Sequence, residues 1–160
     1  MEVTVRSIDF DSVADCDSWL TILNNYALDV AGGGTPIDAS ITGTLISKLK
    51  QQSIARVYLA CINEKPVGLA NCFMGFSTFA GKPLLNIHDI AVLPKYRGGG
   101  VGKALLDHIS ERAKAEGCCK VTLEVLEGNI GAQRLYRREG FAGYDLGEAM
   151  GKALFWQKKL

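Results

Sequence analysis

Four of the five residues at positions 98–102 are glycine, and they stand between the apolar run "IAVL" and the helical pattern "GKALLDHISERAKA". Glycine inside a helix costs about 1 kcal/mol relative to alanine, so the cluster calls for a reason. A helix N-terminus presents unpaired amide N–H groups and roughly half a positive charge. With no side chains in front of it, an anion can touch those amides directly. Gly98, Gly99, Gly100 and Gly102 clear that space, and Arg97 and Lys103 add charge at either edge. A tight strand-to-helix turn also uses glycine, but one glycine usually suffices for it, and four favour an anion site.

A second chemical residue lies just upstream, in "NIHDIAV". Strand alternation sets Asn86 and His88 on one face and Asp89 on the other. Histidine titrates near pH 6.5, which suits removal of a proton at neutral pH, so His88 is the candidate base. A hydrogen-bonded structural histidine is the competing reading. His108 reads as a packing or solvent-side residue of the following helix. The five cysteines, Cys16, Cys61, Cys72, Cys118 and Cys119, show no CxxC or Cys/His ligand spacing, so no metal is expected. Nothing in the sequence pairs Cys72 with a base, which disfavours a covalent cysteine scheme.

Two familiar phosphate loops fail on this stretch. A Walker loop requires glycine where Arg97 stands and a hydroxyl at Ala104. A dinucleotide fingerprint requires glycine at Lys103 or Leu105. The pattern that fits is R-x-x-G-x-G, from Arg97 through Gly98, Gly99, Gly100 and Val101 to Gly102.

The elements that must position these residues follow from periodicity. "EVTVRSI" alternates as a strand, and Val13 to Val30 carries Trp19, Leu20, Leu23 and Ala27 at helical spacing. Asp38 or Ser40 caps a short second helix reaching Leu49. "ARVYLACI", "EKPVGLANCFMGFS" and "PLLNIHDIAVL" are three strands divided by the turn signals "NEKP" and "AGKP". A helix closing at Gly117, the strand "KVTLEVL", and the helix "NIGAQRLYRREG" between Asn129 and Gly140 come next. "FAGYDL" and "ALFWQKKL" read as final strands. The order β-α-α-β-β-β-α-β-α-β-β predicts one α/β domain over residues 1–160. Its mixed sheet has about seven strands, with strands 2 to 4 an antiparallel meander and strands 4, 5 and 6 joined by helical crossovers that give parallel pairing.

Composition narrows the function classes. The 160 residues carry 18 basic and 17 acidic side chains, with no basic stretch suited to nucleic acid or a membrane surface. The start lacks the basic flank and apolar core of a signal peptide, and no apolar run approaches a membrane span. The expectation is a cytoplasmic protein with reduced thiols.

The run from Asn86 to Phe141 resembles the GCN5-related N-acetyltransferases, the GNAT superfamily. Three motifs occur in family order: "IAVLP", the glycine loop, and "LEV…N…A..LY…GF". The resemblance implies acetyl-coenzyme A as donor, its pyrophosphate on the amides of Gly98, Gly99, Gly100, Val101, Gly102 and Lys103. It implies a bulged strand 4 that splays from strand 5, with the pantetheine arm on the backbone of Ile90, Ala91 and Val92 and a contact from Asn129. The N–H near Val92, at the bulge, is the expected donor to the thioester oxygen. Tyr136, where the family places a tyrosine near the coenzyme sulfur, is the implied acid; periodicity alone would assign it to packing beside Ala132 and Leu135. "NIHDIAV" is also similar to the arylalkylamine N-acetyltransferase strand, with Asn86 in place of the first of two histidines.

The function implied is direct transfer of an acetyl group to a primary amine, on a small molecule or a peptide. A non-catalytic acetyl-coenzyme A sensor or interaction module is the alternative. Acceptor choice is expected from Trp19 to Leu49 and from Tyr144 to Lys152, where Asp29, Asp38, Asp145 and Glu148 could suit a cation. Trp19 and Tyr26 read as core rather than pocket. The apolar "ALFW" offers a surface for pairing two subunits.

Overall fold

Each helix begins where a polar side chain or a glycine meets its first free amides. The computed structural model describes residues 2–160. Helix α1 (Val13–Leu28) starts at Ser12, whose hydroxyl accepts the Asp15 N–H. Asp38 caps α2 (Ala39–Lys50), settling the choice left open with Ser40. Helix α3 (Val101–Ala115) starts at Gly100, and α4 (Ile130–Arg138) at Asn129, whose side chain accepts the Ala132 N–H. Gly117 and Gly140, expected as stops, both have positive φ just past α3 and α4.

Five strands make one sheet in sequence order: β1 (Thr4–Ser7), β2 (Ala55–Ile62), β3 (Lys65–Ser77), β4 (Lys82–Val92) and β5 (Val121–Leu123). Pairing is antiparallel from β1 to β4 and parallel between β4 and β5, across the α3 crossover. The mixed α/β sheet and the antiparallel meander are therefore as expected.

Each face of the sheet carries its own core. On one, Leu105, Leu106 and Ile109 of α3 and Tyr136 of α4 pack against Ala70, Cys72, Leu85 and Ile87. On the other, Trp19 and Ile22 of α1 pack against Val57, Leu59 and Leu69. Arg6 of β1 makes paired hydrogen bonds to the buried Asp15 of α1, one of them 2.7 Å, and fastens that helix to the sheet edge.

The last two expected strands do not form. Residues 142–160 hold only one isolated bridge, Asp145 to Lys152, supported by a 2.9 Å bond from the Ala153 N–H to the Tyr144 carbonyl. Leu154, Phe155 and Trp156 are exposed. Alternation in "FAGYDL" and "ALFWQKKL" records a tendency to extend, but a strand also needs a neighbour. The available edge, β5, is three residues long. The sheet accordingly has five strands rather than about seven.

Candidate functional site

The sheet opens at one point. Strands β4 and β5 pair through Leu85–Val121, Asn86–Thr122 and Ile87–Leu123, and there the pairing ends, although β4 continues to Val92. At the same place the β3–β4 register slips: Cys72 faces Ile87 and Asn71 faces Asp89, which leaves His88 without a partner. This bulge bends β4 away from β5. It lies at His88, four residues before the position expected near Val92.

Past the bulge, the Leu93 N–H donates to the Val67 carbonyl of β3 at 2.9 Å. Alternation then turns the N–H and C=O groups of Ile90 and Val92 away from β3 and into the gap. A cavity of about 740 Å³ occupies it, walled by Ile90, Ala91 and Val92 on one side and by Asn129, Ala132, Leu135 and Tyr136 on the other.

The glycine loop closes one end. A single 3-10 turn at Pro94–Tyr96 leads into it, and Gly98 and Gly100 have φ of +77° and +85°. A side chain at either would strain the backbone, although a Cβ there would meet no atom within 4 Å. The first intrahelical bond of α3 runs from the Ala104 N–H to the Gly100 carbonyl, and no side chain caps the helix. The N–H groups of Val101, Gly102 and Lys103 are thus free of helical partners, and all three residues line the cavity. Gly102 has a packing reason as well, since a Cβ would sit 2.9 Å from Leu135 of α4. Gly99 is outside the cavity wall.

Both flanking cations are held by carboxylates. Arg97 donates to the Val92 carbonyl at 3.0 Å and to Asp29 at 2.8 Å, and Lys103 pairs with Asp107 at 2.7 Å. Asp29 also caps the 3-10 turn at Val30–Gly32, so it has structural work, as Asp38 does at α2.

Tyr136 lies at the junction of cavity and core. Its ring is buried beside Phe141, with centroids 6.0 Å apart, and burial pushes its phenol up to about 12. The ring packs in the core as periodicity suggests, and the residue also lines the cavity. Asn129 likewise caps α4 through its carbonyl oxygen and lines the same space.

Tyr26 was assigned to the core, yet it joins the cavity wall. Its phenol is raised by burial, then by Asp89 and Asp29. No periodicity signal separates such a residue from core; only the neighbouring strand's splay exposes it. Trp19 is core, as expected, but its indole N–H donates to Asn71 at 2.8 Å.

His88 does not line the cavity; it is exposed, with its ring edge-on to Phe73 at 5.7 Å. Asp89 faces Asn71 and α1 instead of pointing away from the Asn86 face, because the unpaired His88 reverses the alternation. His108 packs edge-on against Tyr58 at 4.9 Å. Among the described residues, no group of three or more His, Cys, Asp or Glu could hold a metal, and no helix is long and apolar enough to cross a membrane.

Strand backbone on one side, an uncapped glycine-fronted helix at the end and a tyrosine-bearing helix opposite enclose one cavity where β4 and β5 part. The chain belongs to the acetyltransferase (GNAT) family, whose profile matches residues 24–141.

It is 36% identical over 85 residues to bovine (Bos taurus) thialysine N-epsilon-acetyltransferase, covering 53% of this chain and 48% of that protein. It is 38% identical over 78 residues to streptothricin acetyltransferase of Streptomyces lavendulae, covering 49% and 41%. The chain therefore spans about half the length of these curated relatives, or less. A possible acetyltransferase from Clostridium difficile 630 superposes with a TM-score of 0.81 at 17% identity, covering 100% of this chain and 99% of that one. An aminoglycoside acetyltransferase from a soil metagenome, solved with sisomicin, gives 0.78 at 17% identity, covering 99% and 96%. At that identity the two structures attest the fold.

Proposed function

We propose that this protein is an acetyl-coenzyme A-dependent N-acetyltransferase that moves the acetyl group by direct attack of a primary amine, on a small molecule or a peptide. The observation that carries the reading is the splay itself. It turns the backbone of Ile90 and the N–H of Val92 into the cavity that the uncapped amides of Val101, Gly102 and Lys103 and the side chain of Tyr136 also line. The residues fit such a ligand: amides for its pyrophosphate, strand backbone for its amide-bearing arm, and Asn129 across the gap. Relatives named for thialysine and streptothricin as substrates support an amine acceptor.

Acetyl transfer needs a neutral amine, a donor to the thioester oxygen and a proton for the leaving sulfur. An alkyl amine with a pKa near 10.4 is unprotonated in only about one molecule per thousand at pH 7, so proton removal matters. Tyr136 supplies the proton to sulfur, since a phenol raised to about 12 stays protonated at neutral pH. The Val92 N–H, turned into the gap, donates to the thioester oxygen. The proposed proton acceptor for the amine is His88, which stands unpaired at the bulge, or a water chain.

Thiol release from acetyl-coenzyme A across amines, polyamines, amino acids and short peptides tests the reading. Saturable turnover with one group is expected. Calorimetry with acetyl-coenzyme A separates the outcomes: binding without any turnover would favour the non-catalytic sensor, and no binding would overturn the account of the glycines.

A further inference from the structure

A second run of glycines, Gly32, Gly33 and Gly34, follows α1. It ties a tight knot in the chain. The N–H groups of Gly32 and Gly34 both donate to the Asp29 carbonyl, at 2.9 and 3.0 Å, and Gly34 donates to the Ala27 carbonyl at 3.0 Å as well. A Cβ on Gly32 would sit 1.9 Å from the Tyr26 carbonyl oxygen, and Gly33 and Gly34 have φ of +108° and +77°. The knot is therefore built on glycine.

Its product is one oriented side chain. Asp29 Oδ1 accepts the Ala31 N–H at 3.2 Å, which leaves Oδ2 to accept from Arg97 Nη2 at 2.8 Å, from a residue 68 positions away. Arg97 is fixed in turn by its Nε bond to the Val92 carbonyl of β4 at 3.0 Å. Among the described residues, the Asp29–Arg97 bond is the one hydrogen bond that links residues 29–37 to residues 90–103. Both sides that it joins are cavity walls: Tyr26, Asp29 and Ala31 on one, Val92, Arg97 and Gly98 on the other.

The pair is partly open to solvent, with side-chain exposures of 28% for Asp29 and 50% for Arg97. Ion pairs of this kind add little to stability and break readily. A carboxylate is also a poor wall for an anion's cavity unless a cation cancels its charge. These features suit a fastening that opens better than a permanent brace.

We propose that Asp29 and Arg97 form a clasp that holds the end of α1 against the bound coenzyme and must open for the coenzyme to enter or leave. This rests on the acetyl-coenzyme A reading above. Arg97 Nη1 has no hydrogen-bond partner among the described residues, so the guanidinium can keep Asp29 while Nη1 meets a coenzyme phosphate. A loaded site then favours the closed clasp, because only the closed state makes both contacts. Asp29 acts through Arg97 and is a positioning residue.

The test is a double-mutant cycle in the full chain, read by stopped flow as excess acetyl-coenzyme A chases a fluorescent coenzyme A analogue from the protein. Asp29→Asn keeps an oxygen for the Ala31 N–H and loses the charge that holds Arg97. It is expected to raise the dissociation rate by about two- to five-fold, the range that such an ion pair supports, with an unchanged melting profile. Arg97→Gln is expected to raise it at least as much, and Asp29→Asn added to Arg97→Gln is expected to add nothing, since the clasp is already gone. A dissociation rate unchanged by Asp29→Asn would overturn the proposal. A lowered rate would overturn it too, because that is what relief of repulsion from the carboxylate gives. An equal rise in the Arg97→Gln background would do the same, by tracing the effect to the cap of the turn. Failure of the unmodified protein to bind acetyl-coenzyme A would overturn this inference together with the reading beneath it; binding with dissociation indifferent to Asp29→Asn would remove this inference alone.

Discussion

Replacing Tyr136 with phenylalanine removes one oxygen and leaves nearly everything else in place. The ring is 8% exposed and packs against Phe141, so its apolar contacts survive the change. No hydrogen bond to the hydroxyl is formed within the described residues, so no partner is orphaned. A volume-conserving swap of this kind costs under about 1.5 kcal/mol in stability, whereas Tyr136→Ala would cost about 3–5 kcal/mol.

The expected catalytic effect is far larger. General acid catalysis contributes about 10²–10⁴-fold, so kcat should fall by that factor, equivalent to roughly 2.7–5.4 kcal/mol of barrier. A phenol at about 12 stays protonated across the usual assay range, so the loss should be the same at pH 7 and pH 9. The assay is steady-state thiol release at both pH values, with coenzyme Kd by calorimetry and a thermal melt as the folding control. An unaltered kcat would return Tyr136 to a packing role. A loss confined to coenzyme affinity would make it a binding residue and refute the acid assignment.

Gly100→Glu should abolish measurable coenzyme binding: the new carboxylate faces the free α3 amides, and φ of +85° adds about 1–2 kcal/mol of backbone strain. An unchanged calorimetric Kd would remove the loop from the site. Asp15 is held below its ordinary value, first by its hydrogen bonds with Arg6. It therefore adds stability above the usual carboxylate range, and that stability is lost as pH falls below about 4. Asp15→Asn should cost about 1–3 kcal/mol at pH 7 in urea melts, with the gap narrowing toward pH 3; a gap independent of pH would contradict the pairing. Cys72 is fully buried and its thiol is pushed up to about 12, chiefly by burial. Cys72→Ala should retain turnover, and iodoacetamide at pH 8 should not inactivate the protein through this residue. A Cys72→Ala variant without activity but with a normal melt would reopen the covalent scheme.

The glycine loop was readable without coordinates because its signal is local. Helix starts and stops at Asn129, Gly117 and Gly140 likewise depend on a few adjacent residues and their backbone preferences. The start of α2 is narrowed in the same way to Asp38 or Ser40, and the structure takes Asp38. The C-terminal strands failed because pairing is not local: "ALFWQKKL" alternates well enough, but extended backbone is held only by a partner, and beyond the Ala153 N–H no strand pairs with it. Tyr26 reads as core rather than pocket for a related reason, since a cavity wall and a core face share one helical period.

Sequence by itself determined the class of this protein, through a run of glycines and flanking motifs whose order and spacing few other folds would need. It determined the main elements too, because hydrophobic period and capping chemistry are written within a dozen residues of one another. The tertiary structure alone decided where β4 bulges, and one unpaired residue there reverses which side chains face α1. That reversal takes His88 out of the cavity wall and turns Asp89 toward Asn71 and Trp19. A strand's side-chain period is two, so a one-residue slip exchanges its faces, and only the neighbouring strand's register reveals that the slip has occurred.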